Sequence, residues 1–177
     1  MDTQALAKEI NDLLGVETRS LMEHLHEATP HVDAGTYRIW QQVRNMAHRD
    51  TDHAARLSAI LSRLDLPERP TPFPQSVGDF HFMTIDRLIP LLIADKQKQV
   101  AAYSRAIAHA FGDAEVTSEL ESLRADNDAE LKQLQAIEVS LRQRRGSVSA
   151  TSGDITAAAG AVVAAKALAK AKAARAG

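Results

Sequence analysis

The sequence predicts an all-α fold, a four-helix bundle followed by a low-complexity Ala/Lys-rich C-terminal tail. Apolar residues recur at helical spacing through four long stretches. The hydrophobic residues are mostly Leu, Ala, Ile and Val, and the low aromatic content of 4%, with 8 Gly and 6 Pro, favours helices over a turn-rich β protein. At 177 residues and 45% hydrophobic, the chain suits one domain with a sizeable core plus an appendage.

The first helix is expected over about residues 3–28, where Leu6, Ile10, Leu13, Leu14, Leu21 and Leu25 keep the period between a cap at Asp2 or Thr3 and a stop at Pro30. After the turn-forming stretch 31–35, a second helix over about 36–64 carries Ile39, Trp40, Val43, Met46, Ala47, Leu57, Ile60, Leu61 and Leu64, and ends at Leu66-Pro67. Residues of about 65–83 contain Pro67, Pro70, Pro72, Pro74 and Gly78, so they read as an extended connection long enough to traverse the bundle. Its Phe73, Phe80 and Phe82, with Trp40, could anchor that loop or a partner.

A third helix is expected from about Thr84 to Phe111 through Ile85, Leu88, Ile89, Leu92, Val100, Tyr103, Ala106 and Ile107, closed by Gly112, with Pro90 either kinking it or marking its start. The fourth covers about 115–145, with Val116, Leu120, Leu123, Leu131, Leu134, Ile137 and Leu141 on one face and Arg142, Arg144 and Arg145 before a stop at Gly146. Short first and third connections make antiparallel hairpins, and the long second one lets helices two and three run parallel. The predicted organisation is a bundle domain at 1–145 and a flexible or partly helical tail at 146–177.

Charge and composition remove several function classes. The net charge of −2 gives no global reason to expect nucleic acid or an anionic membrane as partner. The bundle carries −5 and the tail +3, so the two could attract each other, and the tail could serve as a docking peptide for a protein partner or make a weak contact with an anionic surface. With no cysteine, thiolate zinc sites and iron–sulfur clusters are excluded, and any metal must be held by His, carboxylate, amide or water. No secretory signal and no spanning segment is visible, so a cytoplasmic location is expected. Gly-rich phosphate loops, zinc-protease helices and nucleophilic-serine elbows are also missing from the sequence.

Each apolar stripe is interrupted by a polar residue, and a charge on a core face is costly unless paired or metal-bound. The first stripe puts Glu17 and His24 inward, the second Asp50 and His53 at i and i+3. The third, through 88/89, 92, 95/96, 99 and 103, points Asp95 inward with Gln99 and Tyr103 nearby, and the fourth points Asn127 and Glu130 inward. Glu17, Asp50, His53, Asp95, Asn127 and Glu130 lie within about four residues of their helix midpoints, roughly 6 Å, so they can share one layer. His24 reads as an end-of-helix residue or a ligand, Tyr103 as core or a redox residue, and Asp52, Asp126 and Asp128 fall off the stripe.

This pattern resembles the di-iron carboxylate members of the ferritin-like superfamily, in which two helices each give one acid and two give Glu-x-x-His. Glu17 and Asp95 match the single acids, Asp50-Thr51-Asp52-His53 matches the first Glu-x-x-His, and Asn127-Asp128-Ala129-Glu130 stands where the second would be. The resemblance spans about residues 4–141 and looks nearest to bacterial ferritin-like proteins of uncertain function, through the stretches Leu14-Gly-Val-Glu-Thr-Arg-Ser-Leu and Asp79-Phe-His-Phe. It implies iron or another divalent metal on Glu17, Asp50, His53, Asp95, Asn127 and Glu130, a metal-binding protein with a possible oxidase or iron-handling role. Asn127 removes a bridging carboxylate and Glu130 a second histidine, so a single ion, a remodelled pair or a retired site held by hydrogen bonds all stay open. The alternative is a non-enzymatic bundle that forms a homodimer or binds a partner through a helix face or the tail. Whether the chain is an enzyme is left open.

Overall fold

A computed structural model describes residues 3–26, 29–69, 83–110 and 112–174, with backbone only from 146 onward. The Pro-rich connection from 70 to 82, including Phe73, Phe80 and Phe82, and residues Phe111 and Arg175 lie outside the described residues. Four α-helices are present among them: α1 Thr3–Thr18, α2 Tyr37–Arg63, α3 Ile85–His109 and α4 Ala114–Ala174, with a 3-10 turn at Glu23–His26. The described residues contain no strand, only an isolated parallel bridge between His31 and Thr84. The chain divides into two units, Met1–Glu138 and Val139–Gly177, and the polar layer lies within the first.

Local sequence accounts for the starts and stops. Before α2, the Asp33 carboxylate accepts from the Thr36 N–H at 2.7 Å while the Asp33 N–H donates to Thr36 Oγ1 at 3.0 Å, a reciprocal turn that launches the helix. Asp113 caps α4 by accepting from the N–H groups of Glu115 and Val116 at 3.1 and 3.0 Å. Just before it, Gly112 adopts φ 107°, where glycine is needed for backbone reasons alone, since a Cβ there would meet nothing within 4 Å. Pro90 sits inside α3 rather than at its start.

Two helix ends differ from expectation. α1 stops at Thr18 instead of continuing to about 28. Thr18 Oγ1 donates back to Leu14 O at 2.8 Å, the Ser20 N–H turns back to Glu17 O at 3.0 Å, and Ser20 Oγ accepts from the Glu23 N–H at 3.1 Å. Closely spaced hydroxyls thus offer the backbone partners outside the α-helical ladder, and the chain re-forms as a 3-10 turn. At the other end, α4 passes through Gly146 without a break. One glycine costs a helix about 1 kcal/mol, and the Ala-rich sequence beyond it has the highest helix propensity available.

Cross-helix contacts fix the directions. α1 meets α2 at Glu17 near Asp50 and His53, and its Asn11 clamps the segment after α2, donating to Pro67 O at 3.1 Å and accepting from the Arg69 N–H at 2.7 Å. These two helices are antiparallel. Against α3, Glu17 pairs with Tyr103 and Leu21 with Asp95, again antiparallel. α4 runs against α2, with Arg63–Glu115, Arg56–Glu119 and Arg49–Glu130 as successive rungs. It follows that α2 and α3 run in the same direction, as the long connection predicts.

The core is dry at one end and polar in the middle. Leu6, Ile10 and Leu13 of α1, Leu57 and Leu61 of α2, Ala106 of α3 and Val116, Leu120 and Leu123 of α4 form one fully buried cluster. Burying each large aliphatic side chain contributes about 1.5–3 kcal/mol, so this end supplies the stability that a central layer of buried charge must draw on.

Candidate functional site

One turn beyond that cluster the stripes turn polar. Glu17, Asp50, His53, Lys96, Gln99, Asn127 and Glu130 are all at most 3% exposed, and Tyr103 is fully buried beside them. α1 supplies Glu17, α2 supplies Asp50 and His53 from adjacent turns, α3 supplies Lys96, Gln99 and Tyr103, and α4 supplies Asn127 and Glu130. Five of the six residues expected in the layer are therefore in it.

Asp95 is the exception, and its place is taken by Lys96. The Asp95 carboxylate turns toward the break after α1 and accepts from the Leu21 N–H at 2.8 Å. That amide has lost its helical partner because α1 stops early, so the acid is spent as a cap. The next residue, Lys96, points into the layer instead. Its Nζ lies 2.5 Å from Asp50 Oδ1, 2.8 Å from Asn127 Oδ1 and 2.8 Å from Glu130 Oε2. The contact with Glu130 has ion-pair distance without hydrogen-bond direction, since Oε2 has no directed partner.

Each remaining member has a distinct role. Glu130 is shared between two cations, with Oε1 accepting from Arg49 Nε at 2.8 Å and Oε2 facing Lys96. Asn127 accepts from Lys96 through Oδ1, so its Nδ2 points the other way, donating to Leu123 O at 3.0 Å and lying 3.4 Å from both Glu17 Oε1 and His53 Nδ1. An aspartate at 127 could accept from the lysine but could not donate to Glu17 or His53, which explains the amide. Tyr103 donates its hydroxyl to Glu17 Oε1 at 2.6 Å. Burial, and then the Glu17 charge, pushes the phenol pKa well up, so Tyr103 stays a donor.

Within the layer stands a three-residue cluster. Glu17, Asp50 and His53 each offer a ligand atom, and these atoms lie within 4.8 Å of one another. Glu17 Oε2 and Asp50 Oδ2 are buried and have no hydrogen-bond partner among the described residues, while the sister oxygen of each is held by Tyr103 or Lys96. Burial raises the pKa of Glu17, and raises that of Asp50 strongly, against the opposing pull of the Lys96 ammonium. Burial lowers the pKa of His53, with Lys96 pushing the same way, so the imidazole is neutral at pH 7. With Nδ1 facing the Asn127 amide N–H₂ at 3.4 Å and Nε2 facing Asp126 Oδ2 at 3.8 Å, the proton belongs on Nε2, and Nδ1 lies 3.9 Å from Glu17 Oε1 and 3.8 Å from Asp50 Oδ1.

His24 is buried in the 3-10 turn rather than exposed at a helix end. Gln99 is buried one turn past Lys96 with neither amide atom hydrogen-bonded. Lys96, Tyr103 and Arg49 are the participants that sequence reasoning missed or underweighted. The third stripe ran through 95/96, so a lysine on it was the available signal.

No protein-family model, no curated protein and no solved structure matches this chain. The reading of the site therefore rests on its geometry. No helix among the described residues is long and apolar enough to cross a membrane.

Proposed function

We propose that this chain is a ferritin-like bundle that binds one divalent metal ion, iron or an ion of similar chemistry, on Glu17, Asp50 and His53. The observation that carries the reading is a buried cluster in which His53 Nδ1 lies 3.9 Å from Glu17 Oε1 and 3.8 Å from Asp50 Oδ1, while the second oxygen of each acid, Glu17 Oε2 and Asp50 Oδ2, is buried without a hydrogen-bond partner among the described residues. Unpaired buried acceptors cost about 1–3 kcal/mol each, more when charged, and a cation satisfies both. Two carboxylates and one imidazole are a hard-to-borderline donor set that suits iron, manganese or zinc.

A two-metal centre does not suit these residues. Glu130 is consumed by Arg49 and Lys96, Asn127 carries no charge, Asp95 is capping Leu21, and an ammonium stands among the would-be second ligands. For one ion, Glu17 and Asp50 would offset charge and His53 would donate Nδ1, leaving coordination positions for water or substrate. Bound there, a redox-active metal would supply the oxidation or iron-handling chemistry that the resemblance implies. Tyr103 fixes Glu17 and Lys96 fixes Asp50, so the two acids are preorganised by the chain itself, and His53 Nδ1 would exchange its long 3.4 Å contact with Asn127 Nδ2 for the metal.

Elemental analysis of protein purified without added metal or chelator tests this reading, followed by anaerobic Fe(II) titration. The expected result is about one ion per chain, lost in Glu17→Ala and His53→Ala. The Lys96 ammonium also supports a second reading, in which the layer is a retired site and the bundle acts as a dimerising or partner-binding module, with the tail as one contact. No bound metal under either condition would favour that one.

A further inference from the structure

We propose that Lys96 is a resident cation that fills the second cation position of the layer and confines the site to a single metal ion. The inference rests on the single-ion reading above and goes beyond it by assigning the stoichiometry to one side chain. The environment of Nζ is that of a bound hard cation, with three oxygen atoms from α2 and α4 at 2.5–2.8 Å and no exposure to water. Two of those oxygens belong to carboxylates and the third to an amide, the donor types that hold oxygen-preferring ions.

Two residues tie this position to the three-residue cluster. Asp50 belongs to both, since its Oδ1 accepts from Lys96 at 2.5 Å and lies 3.8 Å from His53 Nδ1, while its Oδ2 stays buried without a hydrogen-bond partner among the described residues. Asn127 also touches both, its Oδ1 accepting from Lys96 while its Nδ2 donates toward Glu17 Oε1 and His53 Nδ1. Arg49 completes the neutralisation of Glu130 from the outer side. A fixed positive charge within hydrogen-bond distance of the shared carboxylate repels a second ion, and the lysine stem occupies its volume. The departures from the two-metal pattern thus form one coherent substitution: lysine for an ion, with asparagine positioned to receive it.

The test uses the full-length chain and Mn(II) alone. Stoichiometry is read by equilibrium dialysis and adjacency by electron paramagnetic resonance, because two neighbouring Mn(II) ions give an exchange-broadened spectrum that an isolated ion does not. The wild type is expected to hold one Mn(II) with an isolated-ion spectrum, and Lys96→Glu two with a coupled spectrum. One ion in both proteins overturns the inference and leaves the single-ion reading standing. No Mn(II) in the wild type overturns that reading; a coupled pair in Lys96→Glu would then still uphold Lys96 as the excluding group, and no binding by either overturns both. Lys96→Gln, which removes the charge without adding a ligand, decides the matter if Lys96→Glu does not fold. It should bind a second, weaker and coupled ion, and a stoichiometry unchanged from wild type counts against the inference.

Discussion

Replacing Lys96 by methionine keeps the stem and removes the ammonium, leaving Asp50 Oδ1, Asn127 Oδ1 and Glu130 Oε2 without their cation. Glu130 retains Arg49, but Asp50 keeps only His53, whose Nδ1 lies 3.8 Å from Asp50 Oδ1, beyond hydrogen-bond distance. Breaking a buried ion pair by deleting one member costs about 3–5 kcal/mol, because the surviving charge stays buried. For a domain of this size each kcal/mol moves the melting temperature by about 2–4 °C, so a fall of roughly 6–20 °C is expected. The measurement is thermal and urea unfolding in chelator, monitored by circular dichroism, with Lys98→Met as the control, since Lys98 is exposed two residues along the same helix. The control should change stability by no more than about 0.5 kcal/mol. The Lys96→Met cost should also shrink at acid pH. The ammonium is what pulls the Asp50 pKa down, so without it Asp50 takes up a proton more readily and removes its own unpaired charge. A penalty below about 1 kcal/mol, or one independent of pH, would refute the placement of Lys96 inside the layer.

Three further outcomes follow from the same geometry. Tyr103→Phe deletes the 2.6 Å bond to Glu17 and should destabilise the bundle by about 1.5–3 kcal/mol, read from the urea midpoint. Asp95→Ala removes the cap on the Leu21 N–H and should cost about 0.5–2 kcal/mol without altering metal stoichiometry, because Asp95 is outside the donor set. Raised carboxylate pKa values mean that the folded state binds more protons than the unfolded chain, so Glu17 and Asp50 contribute stability that is full below their unfolded values near pH 4 and falls as pH rises toward their folded values. His53, whose pKa is lowered, contributes with the opposite sign and loses stability as pH falls below about 6.5. Asp50→Asn should therefore flatten the loss of stability with rising pH by at most about 1.4 kcal/mol per pH unit, measured in chelator between pH 5 and 8.

Most of the framework was legible because periodicity is a strong signal. α2 buries Val43, Met46, Asp50, His53, Leu57 and Ile60 on the face its stripe indicated, and α4 does the same through Leu123, Asn127, Glu130 and Leu134. The shared depth of the layer was also legible, since it needs only helix midpoints and a 1.5 Å rise. The break after Thr18 was not, because hydroxyls at 18 and 20 compete with the helix through hydrogen bonds that an apolar count ignores. That break decided the site. It left the Leu21 amide in need of an acceptor and drew off Asp95, while the neighbouring Lys96 entered the core. Adjacent helix positions lie about 100° apart, so a stripe through 95/96 admits either residue, and expecting an acid selected the wrong one.

The most direct test of the metal site is anomalous diffraction from crystals soaked in Mn(II) and recorded on both sides of the manganese absorption edge. The account predicts one anomalous peak inside the bundle, within coordination distance of Glu17, Asp50 and His53 and separate from Lys96 Nζ. An empty layer at saturating Mn(II), or a peak that displaces Lys96 from Asp50 and Glu130, would contradict it.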